Sequence, residues 1–286
     1  MPAQFEFFGP CSGGPNVNIQ KTFFYRQENF CRTFLIITTM NKTITLAVAA
    51  TCALCAGSTF AAEYALGAGI HMNASEYKGV DIEVVPAPIM NAETEYFYLH
   101  GLEAGGYLLK SPKHAVMLGV SYMPLEFDAG DSDDHQMKQL DDRDASAFLN
   151  LSYRYTGEWA SFGAKISGDI LGESNGILVD VNAAKRFQIQ RLGITPMIGV
   201  TWSSSNFNDY YYGISAAESA RSGLEEYEAD SSVTPYARMV FDYSFNDHLS
   251  IWLEGSVRHL GSEVKDSPMV EDSVRLGFGG GLNWRF

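Results

Sequence analysis

Cysteine is scarce in this 286-residue chain and stops early: the four cysteines are Cys11, Cys31, Cys52 and Cys55. Neither a disulfide nor a thiolate metal site can form beyond residue 55. Basic residues are also few, since 20 Lys and Arg stand against 34 Asp and Glu, for a net charge of -14. This balance argues against nucleic-acid binding, which requires clustered Lys and Arg. The 13% of aromatic residues argues against intrinsic disorder of the chain as a whole.

The N-terminal region contains an apolar stretch, residues 44–56, that is too short to span a bilayer. It follows the basic segment Met40-Asn41-Lys42 and precedes Thr59-Phe60-Ala61, which has the small-x-small pattern of a signal-peptidase site. We therefore interpret residues 40–61 as a signal peptide cleaved after Ala61, with lipid attachment at Cys52 or Cys55 as the less favoured alternative. Residues 1–39 show no sustained period, and we interpret them as a disordered upstream extension of the reading frame rather than a long leader. An exported, acidic, cysteine-free remainder is more typical of a Gram-negative envelope than of a secreted disulfide scaffold.

The exported segment alternates between apolar and polar residues with a period of two. From Val274 to Phe286 the even positions are apolar or aromatic apart from Gly280, and the odd positions are Gly, Asn or Arg. Similar runs occupy 147–155, 162–170, 194–202, 233–245 and 249–257. Their lengths suit strands that cross a bilayer, which need ~9–11 residues, better than soluble strands of ~5–6 residues. The pattern therefore predicts an all-β protein, an antiparallel transmembrane β-barrel, rather than a soluble sandwich.

We place strands at 63–72, 80–90, 94–100, 103–110, 114–124, 146–156, 159–170, 177–188, 192–204, 233–245, 249–260 and 272–286. This predicts twelve strands in a barrel of residues 62–286, or ten if the region 94–110 is a single strand. The tight turns fall on one side, and the long segments 125–145, 205–232 and 261–271 fall on the other. Short periplasmic turns with long extracellular loops are the rule for bacterial barrels, and aromatic residues gather at both rims as at membrane interfaces.

Two of the long segments carry recognisable patterns. Ser215 and Glu218 form a capping box, and Gly223 follows at the position of a helix end, which predicts a helix over 216–222. Such a helix would plug the barrel or present a binding surface. We favour the alternative that the loop which contains it only packs on itself.

The 125–145 segment is strongly acidic. Its carboxylates, set against only Lys138 and Arg143, are Glu126, Asp128, Asp131, Asp133, Asp134, Asp141, Asp142 and Asp144. Oxygen clusters attract hard divalent cations, which would bridge this loop to lipopolysaccharide. The spacing of these carboxylates does not match the D-x-[DN]-x-[DN]-G pattern of a calcium-binding loop, so we favour a solvated acidic loop.

The polar face of the strands carries charges of both signs: Arg154, Lys165, Asp169, Asp180, Arg186, Arg238, Asp242, Glu254, Arg258 and Arg275. Opposite charges in a narrow lumen favour pairing and closure, with Lys165–Asp169 and Arg238–Asp242 as the expected pairs. A small pore is the alternative.

Catalytic chemistry has little support in the sequence. The six histidines, His71, His100, His114, His135, His248 and His259, lie in no recognisable nucleophile motif. We expect no enzyme activity, no catalytic or metal site and no cofactor.

Seven segments occur in order along the exported part: 101–109 (GLEAGGYLL), 131–134 (DSDD), 174–177 (SNGI), 208–215 (NDYYYGIS), 216–224 (AAESARSGL), 264–270 (VKDSPMV) and 284–286 (WRF). Together they resemble the MipA/OmpV family of outer-membrane proteins, the MltA-interacting proteins. The resemblance implies a β-barrel in the outer membrane, in contact with its lipid and lipopolysaccharide. It also implies a scaffold that links a lytic transglycosylase to a penicillin-binding protein, so that murein hydrolysis and synthesis are coordinated. A small outer-membrane channel, or an osmotic or stress-related porin-like protein, is the alternative.

Overall fold

A computed structural model of the protein describes residues 63–286. The predicted extension, residues 1–39, and the predicted signal peptide, residues 40–61, lie outside the described residues.

Thirteen antiparallel strands form one closed ring. They are β1 Glu63–Asn73, β2 Glu83–Glu93, β3 Phe97–His100, β4 Glu103–Lys110, β5 His114–Met123, β6 Ser146–Thr156, β7 Ser161–Asp169, β8 Ile177–Ala184, β9 Phe187–Ile189, β10 Leu192–Ser203, β11 Ser232–Ser244, β12 Leu249–His259 and β13 Val274–Arg285. The pairing of β10 with β11 closes the ring. Because β8 and β9 both pair with β10, they are two parts of one strand, and the barrel has twelve strands. The predicted count is confirmed, and the region 94–110 forms two strands rather than one.

Three helices lie in the connections between strands: α1 Ser205–Tyr212, α2 Ala216–Ser222 and α3 Ser262–Lys265. Two 3-10 turns, Ala129–Asp131 and Met137–Gln139, lie in the connection between β5 and β6. Within residues 63–286, no helix has the length and apolar character needed to span a membrane.

The period of two separates an outer from an inner face in each strand. In β13, Leu276, Phe278 and Leu282 point outward and are 45%, 59% and 51% exposed. Between them lie the lumen-facing glycines, of which Gly279 pairs with His71 of β1. Apolar side chains in contact with lipid and polar or small residues inside are the arrangement of a transmembrane barrel.

The two ends of the barrel differ in the length of their connections. At the terminal end, where β1 begins and β13 ends, the turns are short and comprise 94–96, 111–113, 157–160, 190–191 and 245–248. At the loop end the long connections are 74–82, 124–145, 204–231 and 260–273. We call these four connections together the loop cap. The predicted distribution of short turns and long loops is confirmed.

The hydrophobic core lies in the loop cap rather than between the strands. Its buried members are Tyr77, Phe127, Ala129, Met137, Leu140, Phe148, Phe207, Tyr211, Tyr212, Ile214, Leu260, Val264, Met269 and Val270. Phe148 is the member that comes from a barrel strand, β6; the others belong to the cap. The long loops therefore pack as one folded unit at the end of the barrel.

Candidate functional site: the loop cap and the lumen beneath it

Helix α1 begins at Ser204, whose side chain accepts a hydrogen bond from the backbone N–H of Phe207. Phe207, Asn208, Tyr211 and Tyr212 are buried along it. These residues form two i, i+4 pairs on neighbouring parts of the helix surface. The sequence analysis missed this helix, although the capping serine and the i, i+4 spacing of Phe207 and Tyr211 are helix signals.

Helix α1 crosses the mouth of the barrel, which is the opening of the lumen at the loop end. The ring of Phe207 lies 6.3 Å from that of Phe148 in β6. At the other end of the helix, Oη of Tyr212 donates to Oε1 of Glu76 over 2.9 Å, and Nη1 of Arg275 in β13 lies 3.2 Å from the same oxygen. In the strand order, β6 and β13 are six positions apart in the ring of twelve. The helix thus joins opposite walls of the barrel.

The Tyr212–Glu76 contact is deeply buried. Glu76 is 3% exposed and Tyr212 is 5% exposed. Burial, together with the charge of Glu76, raises the pKa of Tyr212 well above its usual value. The phenol therefore stays protonated and remains a hydrogen-bond donor to Glu76.

Asn208 links α1 to β10 and β11, the strands that flank its loop. Its Oδ1 accepts from Oγ of Ser203 over 2.7 Å, and its Nδ2 donates to the carbonyl of Asp230 over 2.6 Å and to Oγ of Ser232 over 3.1 Å. Ser203 ends β10 and Ser232 begins β11. One buried amide therefore fixes the helix to both strands from which its loop emerges.

Helix α2 matches the predicted bounds, with the capping box of Ser215 and Glu218 present. Gly223 ends the helix in the left-handed region with φ 74°, which a glycine adopts without steric cost. Oε1 of Glu218 also accepts from Nη2 of Arg143 and from the backbone N–H of Asp141. The 205–232 loop does pack on itself, with Ile214 paired to Tyr227, and α2 also binds the acidic loop.

Glu218 is a buried carboxylate with a full set of donors. Burial would raise its pKa, but hydrogen bonds from Ser215, Arg143 and the Asp141 backbone hold the pKa at about 2. The group is therefore ionised at neutral pH and pairs with Arg143, whose guanidinium also donates to the carbonyl of Gly213.

The acidic loop uses its carboxylates to fold its own backbone. Asp128 accepts from Gly130 N–H, Asp142 from Ala129 N–H, and Asp134 from the N–H groups of Gln136 and Met137. Asp141 forms an ion pair with Arg221 of α2 at 2.5 Å. Across residues 63–286, no group of three His, Cys, Asp or Glu side chains is placed to hold a metal ion.

Ion pairs on the lumen wall join different segments of the wall. Lys165 pairs with Glu103 at 3.5 Å, Arg186 with Asp242 at 2.6 Å, and Arg238 with Glu254. The expected pairs Lys165–Asp169 and Arg238–Asp242 are wrong. Residues four apart on one strand are separated by about 13 Å, whereas neighbouring strands lie ~4.8 Å apart, so charges meet across strands.

The remaining lumen charges have other contacts. Asp169 accepts from Oγ of Ser146 and from backbone N–H groups of the 171–175 segment, so it shapes a loop. Asp180 accepts from Asn182, Thr201 and Tyr236. The Arg258 guanidinium lies 5.1 Å from the ring centre of Tyr236, and Arg275 belongs to the cap contact with Glu76.

Large lumen side chains lie against glycines of neighbouring strands. Trp252 covers Gly69 and Gly281: a Cβ at either position would lie 3.0 Å from the indole ring. In the same way, Tyr236 covers Gly199 and His71 covers Gly279. These rings therefore lie along the wall of the lumen.

The six histidines are dispersed over the molecule. His71 packs on Trp252, with ring centres 5.3 Å apart, and His259 ends β12. His100 contacts Glu93, His114 contacts the hydroxyl of Tyr153, and His248 contacts the backbone carbonyl of Arg285. His135 lies in the acidic loop. In the described part of the chain, no histidine ring is hydrogen-bonded to a serine hydroxyl, since Ser111 contacts only the backbone of His114. A nucleophile–base pair is therefore not assembled there.

Comparison with known proteins agrees with this architecture. The sequence profile of the family described as MltA-interacting protein MipA matches residues 66–286. The chain belongs to the MltA-interacting protein family. It is 37% identical over 248 residues to the MltA-interacting protein of Escherichia coli K12, covering 86% of this chain and 100% of that protein.

A second family relative is the putative outer membrane protein YiaT of Escherichia coli K12. It is 36% identical over 229 residues, which cover 80% of this chain and 93% of the relative. Among solved structures, the NanC porin aligns with a TM-score of 0.42 and 7% identity, covering 77% of this chain and 100% of the porin. With a relative named as an outer membrane protein and a closed ring of antiparallel strands, this member of the MltA-interacting protein family is an outer-membrane β-barrel. Because short turns face the periplasm in bacterial barrels, we expect its terminal end to lie on that side.

Proposed function

We propose that this protein is a docking protein of the cell envelope that binds a lytic transglycosylase at its periplasmic end. Its relative of 37% identity is named for an interaction with MltA. Binding, rather than catalysis or bulk diffusion, is the proposed activity. A penicillin-binding protein is the second proposed partner, so that murein synthesis and hydrolysis meet on one scaffold.

The observation that carries this proposal is the bridging of the mouth by α1. A general porin needs a continuous aqueous path, but here Phe207 and Tyr212 connect opposite walls at the loop end. Ion pairs such as Arg186–Asp242 also place charges against the wall instead of leaving them free for passing ions. A small channel that opens when the cap moves is the second candidate function.

The periplasmic turns offer one distinctive surface for a partner. Trp159, in the turn between β6 and β7, is 81% exposed, and Nζ of Lys185 lies 5.4 Å from its ring centre. Exposed Trp residues are enriched where proteins bind one another. A partner that is itself attached to the membrane could reach this short turn at the barrel rim.

Capture of the partner from solubilised envelopes tests the proposal. Tagged wild-type barrel should recover a lytic transglycosylase and a penicillin-binding protein, each identified by antibody. Trp159→Ala should recover several-fold less of the transglycosylase. A matched change at the loop end, Glu226→Gln, should recover as much as wild type. Absence of both enzymes from the wild-type eluate would overturn the docking function and favour the channel.

A further inference from the structure

A cavity of about 190 Å³ opens in the lumen at the terminal end of the barrel. Its walls come from β1, β2, β3, β12 and β13, and its polar lining includes Asn91, Glu93, His100, Ser250, Asn283 and Arg285. None of these residues takes part in the cap or in the proposed docking turn.

The strand register places these side chains around Ala65 and Gly67 of β1. Ala65 pairs with both Asn91 and Arg285, while Ser250 pairs with Asn283 across β12 and β13. Because Ala65 and its neighbour Gly67 carry little or no side chain, the polar groups on either side surround an open space. Asn283 lies over Gly67, where a Cβ would come 2.5 Å from the amide oxygen.

Several of these polar groups have no partner in residues 63–286. Oδ1 of Asn283 is buried without a hydrogen bond. The side chains of Asn91 and Ser250, and the guanidinium of Arg285, likewise form no hydrogen bond or ion pair with the described chain. Asn91 and Ser250 are half-buried and Arg285 is exposed, so their polar groups are accessible from the cavity.

The charge of the cavity is asymmetric. Glu93 is occupied, since Nζ of Lys110 lies 2.7 Å from its carboxylate, the hydroxyl of Tyr107 3.0 Å, and Nε2 of His100 3.4 Å. Among the side chains that the structure describes, none forms an ion pair with Arg285. A planar guanidinium with five donors matches a carboxylate in two-point geometry.

We infer that this cavity binds one ring of a saccharide that carries a carboxylate. The two amides and the serine hydroxyl both donate and accept, which suits sugar hydroxyl and acetamido groups, and Arg285 takes the carboxylate. The volume is below the roughly 300–1,000 Å³ of sites for drug-sized ligands, so it fits a single ring rather than a chain. The site opens at the terminal end, so its ligand comes from the periplasm. This inference goes beyond docking and does not rest on it.

Calorimetric titration of the refolded barrel in detergent tests the inference with two probes. N-acetylmuramic acid carries a carboxylate that N-acetylglucosamine lacks, while the rings are otherwise alike. Wild type should bind the acid at least tenfold more tightly than the neutral sugar. Arg285→Gln should remove that difference, and Asn91→Ala should weaken binding of both sugars. If Arg285→Gln does not refold, Arg285→Lys should reduce the difference without abolishing it.

The matched control is Arg154→Gln, which changes another lumen arginine at the same end but on β6, opposite β13 in the ring. It should bind both sugars as wild type does. Equal affinity of wild type for the two sugars, absence of binding at millimolar concentration, or an equal loss in Arg154→Gln would each overturn the inference. Docking of a transglycosylase is measured separately, so failure of one proposal is distinguishable from failure of the other.

Discussion

Arg143 and Glu218 form an ion pair inside the loop cap, with Nη2 of the arginine 2.8 Å from Oε1 of the glutamate and side chains 9% and 4% exposed. The pair joins the acidic loop to helix α2, two segments separated by 75 residues in the chain. Because Oε2 of the same carboxylate accepts from Ser215 at the start of α2, one side chain holds both the helix and its contact with the neighbouring loop.

Removal of the charge on Glu218 should loosen the cap and leave the barrel intact. Glu218→Gln leaves Arg143 buried without its counter-ion, a loss of up to about 3 kcal/mol in the free energy of cap opening. Limited proteolysis in detergent should cleave the 204–231 loop at least tenfold faster. Glu226→Gln, an exposed acid of the same loop, serves as the control and should behave as wild type. Equal cleavage of both variants would contradict the role of the pair.

Acidification should open the cap because the pKa of Glu218 is about 2, below its usual value of 4.5. A carboxylate whose pKa is lowered by folding stabilises the fold above its unfolded pKa, and this contribution is lost as the pH falls from about 4.5 toward 2. The pKa of Asp134 is also lowered, by hydrogen bonds from Met137 and Gln136, so it acts in the same direction. Pepsin cleavage of the cap, measured relative to cleavage of an unfolded substrate at the same pH, should increase over this range, and the increase should be smaller in Glu218→Gln. A pH-independent relative rate in wild type would disagree with this account.

Gly69 should tolerate no side chain, since a Cβ there would lie 2.5 Å from the carbonyl oxygen of Gly280 and 3.0 Å from the ring of Trp252. Gly69→Ala should therefore destabilise the barrel by about 1–3 kcal/mol through overpacking. Gly168→Ala is the matched control, because no atom lies within 4 Å of its added Cβ. The urea midpoint of refolded protein in micelles should fall for the first variant only. A similar fall for both would show that general strand propensity, and not the close approach, is responsible.

Processing should produce a protein that begins at Ala62. The basic segment, the apolar stretch and the small-x-small site define this boundary. Mass spectrometry of the protein extracted from the membrane should detect Ala62 as the first residue and no peptide from residues 1–39. A mature N-terminus within residues 1–39 would contradict the proposed signal peptide.

The barrel could be predicted from the sequence because its determinants are local. The alternation from Val274 to Phe286 placed β13 within two residues of its observed start and one of its end, Val274–Arg285. The break between β8 and β9 was missed. Arg186 lies in this break and pairs with Asp242, a partner 56 residues away that no local pattern reveals. Lumen pairs were also mispredicted, because their partners depend on the register around the closed ring.

The cap was only partly predictable, for the same physical reason. The capping box of Ser215 and Glu218 spans only four consecutive residues, and it predicted α2 correctly. The association of that helix with Arg143, and the crossing of the mouth by α1, arise from packing among loops that are distant in sequence. The cavity near Arg285 depends in turn on the register of β1 against both β2 and β13.

Single-channel recording in planar bilayers tests the central claim, that the loop cap closes the barrel. Purified wild-type protein should insert and remain silent. A variant in which residues 205–231 are replaced by a short Gly-Ser linker should conduct steadily, because it lacks α1, the contact of Phe207 with β6 and the link of Tyr212 through Glu76 to β13. Steady conductance of the wild type, equal to that of the variant, would contradict the account and identify the protein as a channel.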